Sequence, residues 1–352
     1  MKIQKSQIFL VGHFPPRIGG VSIHLAREFA LLQQHFHIRG FDMAGDREES
    51  STNELCRGPT WRVIFKLLAE IVSQRPRVVH FHISAGRNAP VILLMVAWAA
   101  FFSKTVLTIH SGSFPAYLKA VSRWRRFCFR RLFNTLDLCI GVSRQITDAI
   151  AESFPKVSCR YAVIPAFIAV PRKQKNTREK RDYIIASGYA TKTYDWMCLL
   201  DAVEKTNGLK RLDMVFYNTY HSPYYEQVRA RIREIKDLEI RMFNDLPQDV
   251  FQTLLLEADI LVRPTLNDGD AVVIREALAA GLFVIASDAA VRPRGVHLFP
   301  TSDPDALAQC LDARASFPET EIPANEVDFS TPLLRALQAL ACIPGDVALE
   351  NE

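Results

Sequence analysis

Several hallmarks of membrane, secreted and metal-caged proteins are missing from this sequence. No apolar run reaches the roughly 20 residues that cross a bilayer. The longest, residues 89–102, is expected to be a buried helix. The seven cysteines, at 56, 128, 139, 159, 198, 310 and 342, form no C-x-x-C pair and have no histidine ladder beside them. They read as buried thiols of a reducing cytoplasm. Residues 1–7 run directly into the apolar 8–11 and then His13 and two prolines, the pattern of a first strand rather than of a signal peptide. The double glycine Gly19-Gly20 is not part of a G-x-G-x-x-G fingerprint, and no base-reading motif points to nucleic acid.

What is present fits a globular enzyme. A hydrophobic share of 49% is that of a globular chain, and 352 residues exceed the size at which one core stops growing, so two domains are expected. β-rich runs at 8–11, 78–83, 106–109, 138–142 and 162–164 are separated by helical stretches. In the first of these, 21–34, Val21, Leu25, Phe29 and Leu32 share one face. Such alternation means a parallel sheet covered on both faces, with functional loops at the strands' carboxyl ends. Those ends carry Gly19-Gly20, His82-Ile83-Ser84, His110-Ser111-Gly112-Ser113, Ser143-Arg144 and Pro165. Residues 169–181 are charged and poor in large apolar side chains, as in a linker. A second alternating half follows, with strands at 183–186, 212–216 and 239–243 and helices at 196–205, 224–235 and 248–256. A strand at 296–299 and helices at 304–314 and 332–342 complete the chain.

The second half centres on RPTLNDGDAVVIREALAAGLFVIASD, residues 263–288. It reads as strand, loop, helix and strand, with Asp268 or Asp270 expected to cap the helix. Val272, Val273, Glu276 and Ala277 begin its turns, and Gly281 stands where a left-handed residue ends it. The loop 265–270 then sits at the carboxyl end of a parallel strand, against the positive end of a helix, where anionic ligands bind. Asp268 and Glu276 stand eight positions apart. This acidic-x7-acidic spacing, followed by Ala-Leu-Ala-Ala-Gly and a strand, resembles the nucleotide-sugar signature of the large retaining class of GT-B glycosyltransferases, the group 1 or family 4 type. The family's usual Glu-Gly-Phe-Gly is here Asp268-Gly269-Asp270-Ala271. The bland reading, with Asp268 a cap and Glu276 a solvated helix residue, is weakened by the ordered context.

The likeness extends to Gly19-Gly20 with Leu25-Ala26, to Val79-His80-Phe81-His82, to Thr108-Ile109-His110 and to Val163-Ile164-Pro165. It implies that Glu276 holds the ribose, and that Gly269, Asp270, Ala271 and Val272 with Gly19 and Gly20 meet the donor. Asp268 and His110 lie beside the reacting sugar, and His82 and Ser111 near the acceptor. His80 and His82 share one strand face while Val79 and Phe81 fill the other. Where the family carries an Arg and a Lys for the donor diphosphate, this chain has Tyr189 and Tyr194, so Lys192 and Arg263 are expected to supply the charge.

The resemblance implies an α/β fold of two Rossmann-like domains facing across a cleft. Residues 1–168 would be the acceptor domain, 169–181 the linker, 182–330 the donor domain and 331–352 a helix able to cross back to the first. The implied activity moves a hexose, with retention, from a UDP- or GDP-sugar to a saccharide or lipid-linked saccharide in cell-surface polysaccharide synthesis. The nucleotide sugar is a co-substrate; no cofactor and no metal are expected, because amides and cationic side chains meet the leaving diphosphate. A D-x-D metal motif at 268–270, as in the GT-A class, sits badly with two alternating halves. The alternative class is a non-catalytic GT-B-like protein that binds sugar nucleotides or glycans. Finally, residues 122–133, SRWRRFCFRRLF, are expected to form a basic aromatic helix suited to an anionic membrane surface, or else a solvated face over a core stripe. The expected location is cytoplasmic, peripheral on the inner face of the membrane.

Overall fold

The computed structural model describes residues 7–16, 19–45, 52, 54–84, 89–165, 181–217, 222–315 and 329–341. The chain divides into two compact units. Met1–Arg17, Val21–Phe167 and Phe329–Glu352 make the first, and Ile18–Gly20 with Ile168–Asp328 the second. The expected linker lies outside the described residues but for Arg181.

In the first unit, β1 (Gln7–Gly12), β2 (His37–Asp42), β3 (Leu55–Cys56), β4 (Val78–Ile83), β5 (Lys104–Ile109), β6 (Leu138–Gly141) and β7 (Arg160–Val163) form one sheet. Their order is β3-β2-β1-β4-β5-β6-β7, and every pairing is parallel. All six residues of β4 are buried, as a strand covered on both faces requires. Phe9, Val79, Phe81 and Leu107 pack on one side with apolar residues of α2 (Thr60–Gln74), α3 (Ala89–Ala100), α4 (Phe114–Ala120), α5 (Arg123–Thr135) and α6 (Arg144–Ser153). Ile8, Leu10, Val78 and Val106 pack on the other with α1 (Gly20–Leu32) and α12 (Ser330–Ala341). Leu333, Leu337 and Leu340 of α12 are buried there, so the last described helix belongs to the first unit.

Two expectations need correction here. Helix α3 is not buried: Ile92, Met95, Val96 and Ala99 face the sheet, but Leu94 is 72% exposed and, just past the helix, Phe101 is 80% exposed. A helix apolar all round does not announce which face is covered. Strands β2 and β3 went unread, because the first contains a glycine and the second is two residues long. A Cβ at Gly40 would come within 2.7 Å of the Leu55 side chain, so that glycine lets the two strands approach.

The second unit has β8 (Tyr183–Tyr189), β9 (Arg211–Tyr217), β10 (Glu239–Asn244), β11 (Ile260–Arg263), β12 (Phe283–Ser287) and β13 (Val296–Phe299). The order is β10-β9-β8-β11-β12-β13, again all parallel. Helices α7 (Trp196–Lys205), α8 (Pro223–Ile232) and α11 (Pro304–Asp312) contribute to one apolar layer, and α9 (Gln248–Glu257) and α10 (Val272–Ala279) to the other. Each sheet runs outward from its first strand and then restarts on that strand's other side. The two switch points, β1 beside β4 and β8 beside β11, are where doubly wound sheets open a crevice for ligands at the strands' carboxyl ends.

Candidate functional site

At the second unit's switch point, the side chains of the signature loop are held by guanidinium groups. Arg263, the last residue of β11, donates from Nε to Asp268 Oδ2 at 3.1 Å and from Nη1 to the Ser187 carbonyl at 2.8 Å. Arg292, in the loop after β12, donates to the same Asp268 oxygen at 3.0 Å and to Thr265 Oγ1 at 3.1 Å. Burial would raise the Asp268 carboxyl, but Arg263 and Arg292 outweigh it and hold it at about 2. Asp270 meanwhile takes Arg275 Nε on both oxygens, at 2.8 and 2.9 Å.

Neither acid caps α10, contrary to the sequence reading. The N-cap is Ala271, without a side-chain hydrogen bond, because both carboxylates are drawn to arginines instead. In the first turn, the Ile274 amide donates to the Ala271 carbonyl at 3.0 Å. Gly281 does take a left-handed conformation, φ +78°, directly after the C-cap residue Ala280. Glu276 is 2% exposed and accepts from Gln248 Nε2 at 3.3 Å, which removes its reading as a solvated residue.

Tyr189 and Tyr194 meet edge to face, with ring centroids 5.6 Å apart. The Arg263 guanidinium lies 4.7 Å from the Tyr194 ring centroid, so a positive charge sits over that ring. A Cβ on Gly188 would fall 1.9 Å from that ring, so only glycine lets Tyr194 lie against β8. Lys192 is exposed on the short 3-10 turn Lys192–Tyr194. Arg292 escaped the sequence reading. Its only local signal is its place shortly after the carboxyl end of a strand.

The first unit gathers histidines. His110 follows β5, and its Nε2 lies 3.0 Å from His82 Nδ1, the rings stacked with centroids 5.3 Å apart. His80 Nε2 meets Thr108 Oγ1 at 2.7 Å. Opposite them, on α1, stands Glu28 at 0% exposure. Its Oε1 is 2.8 Å from His80 Nδ1, and its Oε2 is 3.3 Å from His82 Nε2 and 3.4 Å from His24 Nε2. Burial and the neighbouring imidazoles hold His110 well below the usual histidine range, and burial with His80 brings His82 down to about 3. Glu28 is raised by burial, but His80 and His82 more than reverse this and keep it well below the carboxylate norm.

The sequence reading placed His82 and His110 at this carboxyl edge but missed Glu28 and His24. Their i, i+4 spacing on α1 was the available signal. Ser111 pairs with Ser113 through their hydroxyls at 2.7 Å. Gly19 and Gly20 lead into α1, and a Cβ at Gly20 would meet no described atom within 4 Å. A cavity of about 570 Å³ opens at the β1–β4 switch point, lined by His13, His82 and Ser84 and walled by Met43, Ile64 and Met95.

The model of Glycosyltransferase Family 4 matches residues 19–171, and that of Glycosyl transferases group 1 matches residues 182–314. The chain belongs to the GT-B glycosyltransferases. Solved structures agree on the fold of this glycosyltransferase. Anabaena Alr3699/HepE, in complex with UDP and glucose, is 15% identical over 96% of this chain and 100% of its own, with a TM-score of 0.65. The apo form of the lipopolysaccharide outer core galactosyltransferase WaaB is 12% identical over 95% and 99%, at 0.64. The UDP-forming α,α-trehalose-phosphate synthase of Burkholderia xenovorans, in complex with glucose-6-phosphate, is 13% identical over 95% and 100%, at 0.71. No curated protein sequence matches the chain. Among the described residues no helix of the glycosyltransferase is long and apolar enough to cross a membrane.

Proposed function

We propose that this glycosyltransferase moves a hexose from a UDP- or GDP-sugar to a saccharide or lipid-linked saccharide with retention, in the synthesis of a cell-surface polysaccharide. The observation that carries this is the loop at the β8–β11 switch point. It combines an α10 terminus without a side-chain cap, a buried Glu276 and two guanidinia around one Asp268. UDP and UDP-glucose in the Anabaena structures support a nucleotide-sugar donor, and the WaaB likeness supports a surface saccharide.

In this reading Glu276 takes the ribose hydroxyls, and the amides of Asp270, Ala271 and Val272 face the sugar and diphosphate, while the Gly269 amide, expected to meet the donor, instead donates to Asp268 Oδ1 at 3.0 Å. Arg263, Lys192 and the Gly19-Gly20 amides add positive potential. The excess of Arg263 and Arg292 over Asp268 stands in for the cations lost at Tyr189 and Tyr194. Asp268 of the second unit is assigned to the sugar, and Ser111 of the first to the acceptor, with His82 acting on that side by holding His110 through their 3.0 Å contact. The bond from the anomeric carbon to the diphosphate breaks while the acceptor oxygen bonds to that carbon on the same face, and the departing phosphate takes the acceptor's proton. The protein carries this charge itself, so added Mg²⁺ or Mn²⁺ is expected to leave the rate unchanged.

A lipid-linked acceptor is favoured by the outside of the first unit. Ile64 and Val91, which line its cavity, belong to α2 and α3. Those helices also expose Trp61, Phe65, Leu94 and Trp98, and the adjoining α5 exposes Trp124 and Phe127. Soluble monomers rarely carry so much contiguous apolar surface. With Arg125, Arg126 and Arg130 on α5, it suits a peripheral position on the anionic inner face of the cell membrane.

The test is thermal shift against UDP-, GDP- and ADP-sugars, followed by NMR of the anomeric configuration of the product. Stabilisation by one UDP- or GDP-sugar and a retained anomer are expected. Binding without turnover on any acceptor would favour the non-catalytic reading, which the two tyrosines at the cation positions motivate.

A further inference from the structure

We propose that His24, Glu28, His80 and His82 form a binding site for one divalent cation of the Zn²⁺ class, buried between α1 and β4. This does not depend on the transferase reading. His24 and Glu28 are one turn apart on one side of a helix, and His80 and His82 are two apart on one face of a strand. Two regular elements therefore bring Glu28, His80 and His82 to one point, and His24 Nε2 approaches Glu28 Oε2 from the same helix at 3.4 Å. Three imidazoles and a carboxylate are the donor set that Zn²⁺ selects, and that Mg²⁺ or Ca²⁺ does not.

The spacing fits as well. Ligand distances of about 2.0–2.1 Å put neighbouring ligand atoms roughly 3.3 Å apart around a tetrahedral ion. Glu28 oxygens lie 2.8, 3.3 and 3.4 Å from His80 Nδ1, His82 Nε2 and His24 Nε2. One ligand atom each from Glu28, His80 and His82 can be chosen within 4.8 Å of one another.

Alignment decides between an ion and simple hydrogen bonding. Despite these short distances, both Glu28 oxygens, His80 Nδ1 and His82 Nε2 have no hydrogen-bond partner in line. A buried carboxylate without aligned donors is costly, and a cation placed among these atoms would satisfy all of them together. The outer ring nitrogens, by contrast, are engaged: His80 Nε2 with Thr108 Oγ1 at 2.7 Å and His82 Nδ1 with His110 Nε2 at 3.0 Å. That is the outer-shell support that metal-bound imidazoles carry. With Nε2 on the ion, His82 would donate from Nδ1 to His110 and so set the tautomer of that residue.

The experiment uses tag-free, full-length protein purified without added metal and dialysed, with metal content read by mass spectrometry. About one Zn²⁺ per chain is expected, and metal-stripped protein should develop ligand-field bands with Co²⁺ that Zn²⁺ abolishes. Glu28→Gln and His80→Gln should each lower the retained metal at least about tenfold while far-UV circular dichroism is preserved. Asp268→Asn, in the other unit, should retain it; loss of the ion in that variant would move the site to the signature loop and overturn the assignment. If the Gln variants do not fold, the wild-type measurement decides alone. Folded wild type without stoichiometric Zn²⁺ and without Co²⁺ bands would make these four residues a metal-free polar cluster and end the proposal.

Discussion

The two units share one sheet order, yet they bury their acids differently. Glu28 in the first is surrounded by imidazoles, whereas Asp268 in the second is clamped by Arg263 and Arg292. A guanidinium keeps its charge at every accessible pH; an imidazole takes its charge from the surroundings. The second cluster is therefore a fixed electrostatic fixture, suited to a loop that must meet a diphosphate. The first responds to protons or to a cation. Their surfaces differ too: the large exposed apolar side chains of the second unit are scattered, while those of α2, α3 and α5 adjoin.

The largest effect should come from breaking the fixed cluster. Arg292→Leu leaves a buried carboxylate with one of its two guanidinium partners, and denaturant unfolding should show a loss on the order of 3 kcal/mol. A loss under about 1 kcal/mol would mean that Arg263 alone suffices and that the clamp is not what sets the second unit apart.

Next comes the surface contrast. Changing Arg125, Arg126 and Arg130 to Ser should weaken binding to anionic vesicles by at most about 3 kcal/mol, roughly 1 per arginine, and salt should weaken the wild type in the same direction. Equal co-sedimentation of both proteins at low salt would return α5 to a solvated face.

Glu276→Ala should cost about 1.5–3 kcal/mol of nucleotide-sugar affinity through a lost charge-assisted pair. Unchanged affinity in calorimetry would take Glu276 out of the donor site.

Acid stability separates the clusters directly. Asp268 titrates at about 2 when folded against 3.8 ordinarily, so its contribution is whole above pH 3.8 and is lost as pH falls towards 2. His82 is neutral down to about 3 when folded against 6.5 ordinarily, so between those values the unfolded chain binds the extra proton. The first unit thus loses stability as pH falls from 6.5 towards 3. Hydrogen exchange resolved by peptide at pH 5 should show β4 and α1 opening while β11 and α10 stay protected. Simultaneous onset would contradict the contrast.

Much of the fold was legible because it is written locally. Val78–Ile83, Trp196–Lys205 and Val296–Phe299 were located to the residue, since apolar periodicity and length report on neighbours two to four positions away. The same holds for Asp268, Glu276 and Gly281, whose spacing places them on one loop and one helix. Helix α3 shows where this fails. A uniformly apolar segment has no polar face to mark what the sheet leaves uncovered.

Two alternating α/β halves, the acid pair of the signature loop and the histidines at the strand ends can be read from the chain, because each depends on short-range spacing. It takes the folded protein to show that Asp268 and Asp270 pair with arginines instead of capping α10, that Arg292 reaches Asp268 from another loop, and that Glu28 lies under His80 and His82. Asp270 and Arg275 are only five positions apart, but the Arg292 and Glu28 contacts join distant positions, and their formation depends on which strands become neighbours at each switch point. Strand order is settled by packing both faces of a whole sheet, so no local window of sequence contains it.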